Sequence, residues 1–551
     1  TDLLLYNTLK RTYTGEYDSI NNSEGKAGAS FLGNTNIQRQ NIDNITFVDN
    51  IPSTVYDKSA QAYVDTTAWD VSAQQDKSIL AWYETNANGT VKVYIGSDYE
   101  IFGNYDSTDL FAYVGYSANC TSGETITNIG LLNVGSVTNM KDMFHCTGYM
   151  SMTELDLGDK FDTSNVTDMN GMFGLTGHGA MKTLNLGSKF NTSKVTNMSA
   201  MFMGTGYLVM ETLNLGNNFN TSNVTDMQMM FSRTGSLKMT SLDLGDLFYT
   251  NSVTKMKSMF RNTGSIAMTS LDLGPAFTNI ASENTDMFTN TGKSGAITIY
   301  APESIFYSKN DFKLSSSTNA SAINYTRGTI DAKYRTEWKK ESVTVDTTTA
   351  SNPKINIQLR GTTNTSLAKE EYTSDVTSSL AVANIKILVD GTDITSQLTK
   401  TIGTATQTTN SKTSAKDVLQ TITLSKFTKE RPSGKSFDEW AGNITVQVAQ
   451  KTLKDKYGNA NVTVTSAGAR ADNSVADTTK VSQNTTNSMF ADFIKPSFTY
   501  VYSSGNIDHT NKTLTVEFSV TDKYFASTTL STDTNGTLTA NQTEVNKITV
   551  A

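Results

Sequence analysis

Apolar residues recur along the middle of the chain with a fixed spacing. The pair Met-Phe begins at positions 143, 172, 201, 230 and 259, which are 29 residues apart, and one more pair begins at 287. The motif Leu-Asp-Leu-Gly or Leu-Asn-Leu-Gly begins at positions 155, 184, 213, 242 and 271, with the same spacing. A fixed period of this length is typical of repeat proteins, in which each repeat is one small structural unit.

Each repeat has two halves with different periodicities. The Leu-Asp-Leu half alternates apolar and polar residues, which predicts a short strand with one buried face. The other half predicts a short helix, because one helical face would carry Val166, Met169, Met172 and Phe173. The Thr-Gly step that follows, at Thr176 in this copy, would end that helix.

One strand and one helical turn cannot bury an apolar face alone, whereas stacked copies share a core. We therefore predict a leucine-rich-repeat-type solenoid over residues 126–300, with a short parallel strand and a short helix in each 29-residue repeat. Its strands would form a parallel ladder with a spacing of about 4.7–4.9 Å.

The segments FDTSNVTDMNGMF and FNTSNVTDMQMMF resemble the repeat of BspA-like leucine-rich-repeat bacterial surface proteins. The resemblance covers residues 126–300 and reaches back to residues 69–84. It implies an exported cell-surface protein that acts in adhesion or host contact, and it implies no catalytic residues. The copies depart from the family pattern at Lys194, Ser252 and Lys255.

The flanking segments predict further units of a mixed, mainly β protein. Residues 1–125 are expected to form an N-terminal segment and solenoid cap, and residues 301–340 a C-terminal cap or linker. Short alternating segments separated by turns predict an antiparallel immunoglobulin-like β-sandwich over residues 341–495. Residues 496–551 read as the start of a second, truncated sandwich, because Leu514 corresponds to Ile355 and Lys547 to Lys386, at offsets of 159 and 161 residues.

Composition narrows the range of functions. The net charge is −8 and no basic stripe occurs, so a nucleic-acid partner is not expected. The chain lacks an apolar run of about 18 residues, so no membrane insertion is expected either. Neither a nucleophile–base pair nor a zinc- or phosphate-binding motif is recognisable, so we predict no enzyme activity and no cofactor. Calcium remains possible, because its ligands are oxygens.

Two sets of side chains are candidates for partner binding. The most variable part of each repeat follows the Thr-Gly step, and the candidates there are Tyr149, His178, Tyr207 and Lys238. The polar residue between the two leucines of each strand should face away from the core, which adds Asp156, Asn185, Asn214, Asp243 and Asp272. The alternatives are sequence drift for the first set and a merely solvated sheet face for the second.

The only two cysteines are Cys120 and Cys146. If they lie in successive coils, their Cα atoms could approach the roughly 4.4–6.8 Å that a disulfide needs. Two buried, reduced thiols are the alternative.

These features favour an adhesin-type protein on the bacterial cell surface, outside the cell. The solenoid face would bind a host or environmental protein or glycan, and the immunoglobulin-like domains would form a stalk. One alternative is a structural component of a surface layer or fibre that binds itself. Another is the non-catalytic part of a large secreted enzyme.

Overall fold

The structure of the chain is a computed structural model. It describes residues 7–12, 23–302, 328–334, 336–346, 354–363, 375–376, 380–389, 392–411, 414–425, 441–449, 452–459, 489–492, 497–501, 507–508, 513–521 and 543–550. The prediction of a mainly β protein is confirmed, because the described residues contain many strands and one five-residue α-helix.

The N-terminal part consists of that helix and short strands. They are α1 (Ser23–Ala27), β1 (Ser30–Phe31), β2 (Asn34–Gln38), β3 (Ile42–Val48), β4 (Tyr56–Asp57), β5 (Ala62–Tyr63), β6 (Trp69–Asp70), β7 (Leu80–Thr85) and β8 (Val91–Gly96). Strands β7 and β8 form an antiparallel hairpin, and β8 also pairs in parallel with β3.

The repeat region follows with strands of two to seven residues. They are β9 (Ile101–Phe102), β10 (Ile126–Thr127), β11 (Leu132–Asn133), β12 (Glu154–Asp156), β13 (Thr183–Asn185), β14 (Ser241–Asp243), β15 (Ser270–Asp272), β16 (Ile297–Pro302) and β17 (Gly328–Tyr334). Equivalent strands pair in parallel and in register, so Leu155 lies opposite Leu184 and Leu242 opposite Leu271. The pairing of β9 with β11 starts the stack one coil before the first recognisable repeat.

The predicted ladder of Leu-x-Leu strands is interrupted at the third copy. Residues 211–216 form no strand, although Leu213 and Leu215 are buried like their counterparts. A second column of parallel bridges runs through every coil without a break and joins Asp106, Asn139, Asp168, Asn197, Asp226, Lys255 and Glu283 in that order. Successive copies therefore lie side by side even where the first ladder is open.

The predicted short helix of each repeat is wrong, because this half is a chain of tight turns. The Gly171, Phe173 and Leu175 N–H groups bond to carbonyls of the next coil, whereas those of Met172 and Gly174 bond three residues back. Left-handed backbone at Gly171 and Leu175 prevents the continuous i to i−4 bonding of an α-helix. The apolar spacing that suggested a helix is produced by turns of similar period.

A single hydrophobic cluster extends from Leu9 to Ala301 and confirms that the apolar repeat positions form the core. Its centre is a stack of phenylalanine rings, with neighbouring centroids 5.2–5.5 Å apart: Phe111, Phe144, Phe173, Phe202, Phe231, Phe260 and Phe288. Because the N-terminal residues belong to the same cluster, they cover the first coil and share its core.

The threonine of each Thr-Gly step connects neighbouring coils. The Thr205 hydroxyl donates to the Phe173 carbonyl oxygen at 2.6 Å, and the Thr176 hydroxyl donates to that of Phe144 at the same distance. Equivalent bonds form from Thr147, Thr234, Thr263 and Thr291. These buried bonds satisfy carbonyls beside the ring stack, where an unpaired oxygen would be costly.

Two antiparallel sheets with one shared core follow the repeats. Their strands are β18 (Thr336–Asp346), β19 (Lys354–Thr363), β20 (Ile385–Val389), β21 (Thr392–Asp393), β22 (Thr399–Ile402), β23 (Thr406–Thr409), β24 (Lys416–Ser425), β25 (Ala441–Val448) and β26 (Met489–Asp492). One sheet contains β18, β19, β22, β23 and β24, and the other β20, β21, β25 and β26. Buried residues of both sheets, such as Ile357 and Ile387, belong to one hydrophobic cluster.

A further antiparallel sheet lies near the end of the chain. It contains β27 (Ser497–Val501), β28 (Ile507–Asp508), β29 (Thr513–Thr521) and β30 (Thr543–Val550). In line with the predicted correspondence, β19 and β29 are both central strands. The match is not complete, because β30 pairs with β29, whereas β20 pairs with β25 in the opposite sheet.

The repeat stack and the first pair of sheets are in direct contact. Strand β17 extends the repeat sheet in parallel with β16 and is followed closely by β18. The Tyr457 hydroxyl lies 3.3 Å from an Asp246 carboxylate oxygen, and the Asn459 side-chain amide donates to the Pro275 carbonyl at 2.8 Å. The turn that carries these two residues therefore packs against the last coils.

Candidate functional site

Four rings form a continuous row along one edge of the coil stack. Tyr149 and His178 are stacked with centroids 4.7 Å apart and planes 9° apart, and His178 and Tyr207 are stacked at 4.8 Å and 4°. Tyr116 extends the series, with its centroid 4.9 Å from that of Tyr149. We call Tyr116, Tyr149, His178 and Tyr207 the aromatic row.

The turn after each Thr-Gly step places these rings. In the coil of His178, the Thr176 hydroxyl ties the chain to the preceding coil, and Gly177 adopts a left-handed φ of 52°. The Met181 N–H then donates back to the Gly177 carbonyl at 3.0 Å, which closes the turn around His178. Repetition of this turn puts the residue after the glycine at the same place in every coil.

The stacking geometry determines which part of each ring a partner would meet. The faces of the inner rings are occupied by neighbouring rings at 4.7–4.9 Å. All four side chains are only partly buried, so their outer edges face solvent. Ring edges carry the positive part of the aromatic quadrupole. The row therefore offers polar edges, and its inner rings, Tyr149 and His178, offer no free platform for face-on stacking.

Beyond Tyr207 the same column continues with serines. The Ser236 and Ser265 hydroxyls lie 2.9 Å apart. The adjacent column carries exposed apolar side chains, with Met150 47% and Ile266 60% exposed. This edge thus combines aromatic, hydroxyl and aliphatic groups on a regular backbone.

The structure brings together three of the four predicted residues of the variable segment. Tyr149, His178 and Tyr207 share the row, whereas Lys238 is exposed and lies two residues past the position of the row in its own coil. Sequence reasoning missed Tyr116, which precedes Tyr149 by 33 residues instead of 29. A search for aromatic residues after each glycine turn, with variable spacing, would have found it, since Tyr116 follows Gly115.

The polar column on the strand face is exposed at four of its five predicted positions. Asp156, Asn185, Asn214 and Asp243 are exposed, and the Asn185 side-chain amide donates to Asp156 at 2.8 Å. Such side-chain ladders between neighbouring strands are ordinary stabilising pairs.

Asp272 departs from the prediction that the whole column faces solvent. It is buried, because the Tyr334 hydroxyl from β17 donates to its carboxylate at 2.6 Å. Burial, together with the negative charge of Asp272, raises the pKa of Tyr334 above its usual range. Asp272 thus belongs to the contact between the repeats and β17 and is not an exposed binding residue.

Of the two alternatives for Cys120 and Cys146, the structure has the second, because both thiols are free and buried. The residue of the preceding coil that lies against Cys146 is Tyr113, whereas the Cys120 thiol donates to the Gln40 carbonyl at 3.3 Å. Burial raises the pKa of each thiol to about 12. Protonated thiols are poor nucleophiles, so burial lowers the reactivity of both cysteines.

Within the described residues, no group of three or more His, Cys, Asp or Glu side chains is arranged to hold a metal ion. None of the helices in this part of the chain has the length and hydrophobicity needed to cross a bilayer.

His178 makes the row sensitive to pH. Desolvation, and then the positive charge of Arg233, lowers the pKa of His178 below its ordinary value of 6.5. Its Nδ1 is buried without a hydrogen-bond partner. On acidification the unfolded chain therefore protonates His178 at a higher pH than the folded protein does. The contribution of neutral His178 to stability is present above about pH 6.5, and it is lost as the pH falls towards the lower pKa of the folded protein.

We therefore expect that lowering the pH from 7.5 to 5 reduces the thermal unfolding midpoint of wild type more than that of His178→Tyr. Tyrosine keeps a ring in the stack but does not titrate in this range. Groups shared by both proteins, such as buried His145, cancel in the comparison. A difference in midpoint that stays constant with pH would contradict this expectation.

The fold and this edge define a class of protein, namely a stack of 29-residue repeats joined by parallel backbone bridges. Residues 116–209 and 177–296 match the family described as "Mycoplasma protein of unknown function, DUF285". Both matches lie in the repeat stack, which is therefore similar to a bacterial repeat family without an assigned activity. No curated protein and no solved structure matches the chain.

Proposed function

We propose that this chain is an adhesin-type protein of the bacterial cell surface. In this proposal the stacked coils are a leucine-rich-repeat-type solenoid, as in the BspA-like proteins that the repeats resemble. The paired sheets that follow are immunoglobulin-like domains that hold the solenoid away from the cell. The match of residues 116–296 to a bacterial repeat family supports this assignment.

The aromatic row is the observation that carries the proposal. Tyrosine is enriched where proteins bind one another, because it combines a large apolar body with a polar end. Here three tyrosines and one histidine form a row beside the exposed side chains of Met150 and Ile266. Stable association through this edge would bury on the order of 1,200–2,000 Å² in total, which a broad repeat face can supply. The proposal assigns the chain no catalytic activity.

An array of host and environmental proteins and glycans, probed with the 551-residue chain, tests the proposal. We expect binding at micromolar concentration that is lost in the double variant Tyr149→Ser and Tyr207→Ser. Serine is the residue that the chain itself uses at the equivalent positions 236 and 265, so the coil should tolerate both changes. The matched control is Asn185→Ser together with Asn214→Ser on the strand face, which should bind like wild type.

Two outcomes would contradict the proposal. A silent array together with concentration-dependent self-assembly would favour a structural protein that binds itself. Binding that is lost in the strand-face control but retained in the tyrosine variant would place the binding site on the strand face and not on the aromatic row.

A further inference from the structure

The end of the aromatic row carries positive charges without carboxylate partners. Arg233 and Arg261 are exposed and lie on neighbouring coils, since the Arg233 N–H donates to the Arg261 carbonyl at 2.8 Å. In the described part of the chain neither forms an ion pair, whereas Lys255 lies 3.5 Å from Asp226. Lys238, from the same turn region, is also exposed.

The positions equivalent to the two arginines in the adjacent coils carry no charge. They are occupied by Gly204 and Asn262 beside Arg233, and by Ser232 and Thr289 beside Arg261. The chain as a whole has a net charge of −8, so this cationic cluster stands out from the average surface. Like charges on neighbouring coils repel each other, and an anion bound between them relieves that repulsion.

The aromatic row adds to this preference. Its ring edges are the positive side of the quadrupole, and the coil that carries Arg233 lies directly beside that of Tyr207, since the Leu237 N–H donates to the Tyr207 carbonyl at 3.1 Å. The cluster and the row therefore form one continuous surface that favours negative charge.

We propose that this surface binds an acidic polypeptide segment, with the carboxylates of the partner on Arg233 and Arg261 and its apolar side chains along the row. This inference rests on the proposed function and names the chemical class of the partner.

Two observations favour a polypeptide over an anionic polysaccharide. The faces of Tyr149 and His178 are covered by neighbouring rings, so these inner rings offer sugar rings no platform on which to stack. Exposed Ile266 and partly buried Leu237 belong to the same coils as Arg261 and Arg233, and apolar side chains of a peptide can cover them. Guanidinium groups suit carboxylates in particular, because they can donate two parallel hydrogen bonds.

Fluorescence anisotropy with three labelled probes tests this inference on the full chain. The probes are a random copolymer of glutamate and tyrosine, poly-L-lysine, and heparin as the anionic polysaccharide. We expect the acidic copolymer to bind, poly-L-lysine not to bind, and the affinity for the copolymer to fall as salt concentration rises.

The repeats supply matched variants. Arg233→Gly and Arg261→Ser introduce the residues found one coil earlier, at Gly204 and Ser232, and Arg233 has a left-handed φ of 63° that glycine accepts. This double variant should bind the copolymer roughly tenfold more weakly or worse, since two charge-assisted contacts are removed. The control, Lys160→Asn with Lys189→Asn, removes the same charge from exposed positions where a later coil has Asn218, and should leave the affinity unchanged.

Three results would overturn the inference: copolymer binding that the arginine variant does not weaken, no copolymer binding at all, or heparin binding more tightly than the copolymer with the same dependence on the arginines. These results can be distinguished from a failure of the proposed function. If the array yields a partner that depends on Tyr149 and Tyr207 but not on the arginines, the adhesin proposal stands and this one falls. If the array is silent and the chain self-assembles, the adhesin proposal falls first.

Discussion

Replacing Phe202 with alanine is expected to lower the free energy of unfolding of the repeat stack by about 3–5 kcal/mol, the usual cost of emptying an aromatic site in a core. Phe202 is fully buried, and its ring lies 5.5 Å from those of both Phe173 and Phe231. A gap here separates the stack into two halves, because each coil obtains its core contacts from its neighbours. Hydrogen exchange measured by mass spectrometry would report the loss locally, as faster exchange in residues 166–240.

Two controls define the origin of this effect. Phe202→Leu retains much of the buried volume and should cost clearly less than the alanine variant. Met150→Ala removes an apolar side chain that is 47% exposed, and should change stability by no more than about 0.5 kcal/mol. If Phe202→Ala exchanged no faster than Met150→Ala, the shared core would not be what holds the coils together.

Gly206→Ala is the second change with a large expected effect, about 2–4 kcal/mol of destabilisation, because it combines backbone strain with steric overlap. Gly206 has a left-handed φ of 53°, and an added Cβ would lie 2.5 Å from Met210 Cβ and 3.1 Å from the Met181 carbonyl oxygen. Hydrogen exchange of the same segment is again the measurement.

The chain contains a matched control for this experiment. Gly216 also has a left-handed φ, 76°, but an added Cβ there would meet nothing within 4 Å. Gly216→Ala should therefore lower the free energy of unfolding by only about 1 kcal/mol, the cost of holding alanine in a left-handed backbone conformation. Equal effects of the two substitutions would mean that the tight packing against Met210 contributes nothing.

The core could be predicted from the sequence because apolar residues recur at the same positions of every repeat. Residues such as Leu155, Met172 and Phe173 occupy the inside of every coil, and any stacked arrangement of the copies has to bury them. The backbone path could not be predicted in the same way. Turns and a helix give the same apolar spacing, and left-handed backbone occurs at Leu175, Ala200 and Met229, residues that carry no sequence signal for it.

The candidate site was predictable only in part for a related reason. The segment after each glycine could be recognised as variable, but the stacking of Tyr149 on His178 depends on the distance between coils, which only the structure provides. The burial of Asp272 depends on Tyr334, which is 62 positions away in the chain and belongs to a strand outside the recognisable repeats. The Thr-Gly steps likewise predict only the end of a helix, whereas the bonds from the threonine hydroxyls to the preceding coil depend on how the coils stack.

The parallel ladder between β16 and β17 has a mechanical consequence. A force applied to the C-terminal part acts on β17 at Tyr334 and is transmitted to the coils from the opposite end of β16, at Ile297. The strands are then loaded in shear, and six residue pairs resist together instead of opening one after another. Tension applied through the C-terminal part would thus reach the coils directly, with little slack between β17 and the repeat stack.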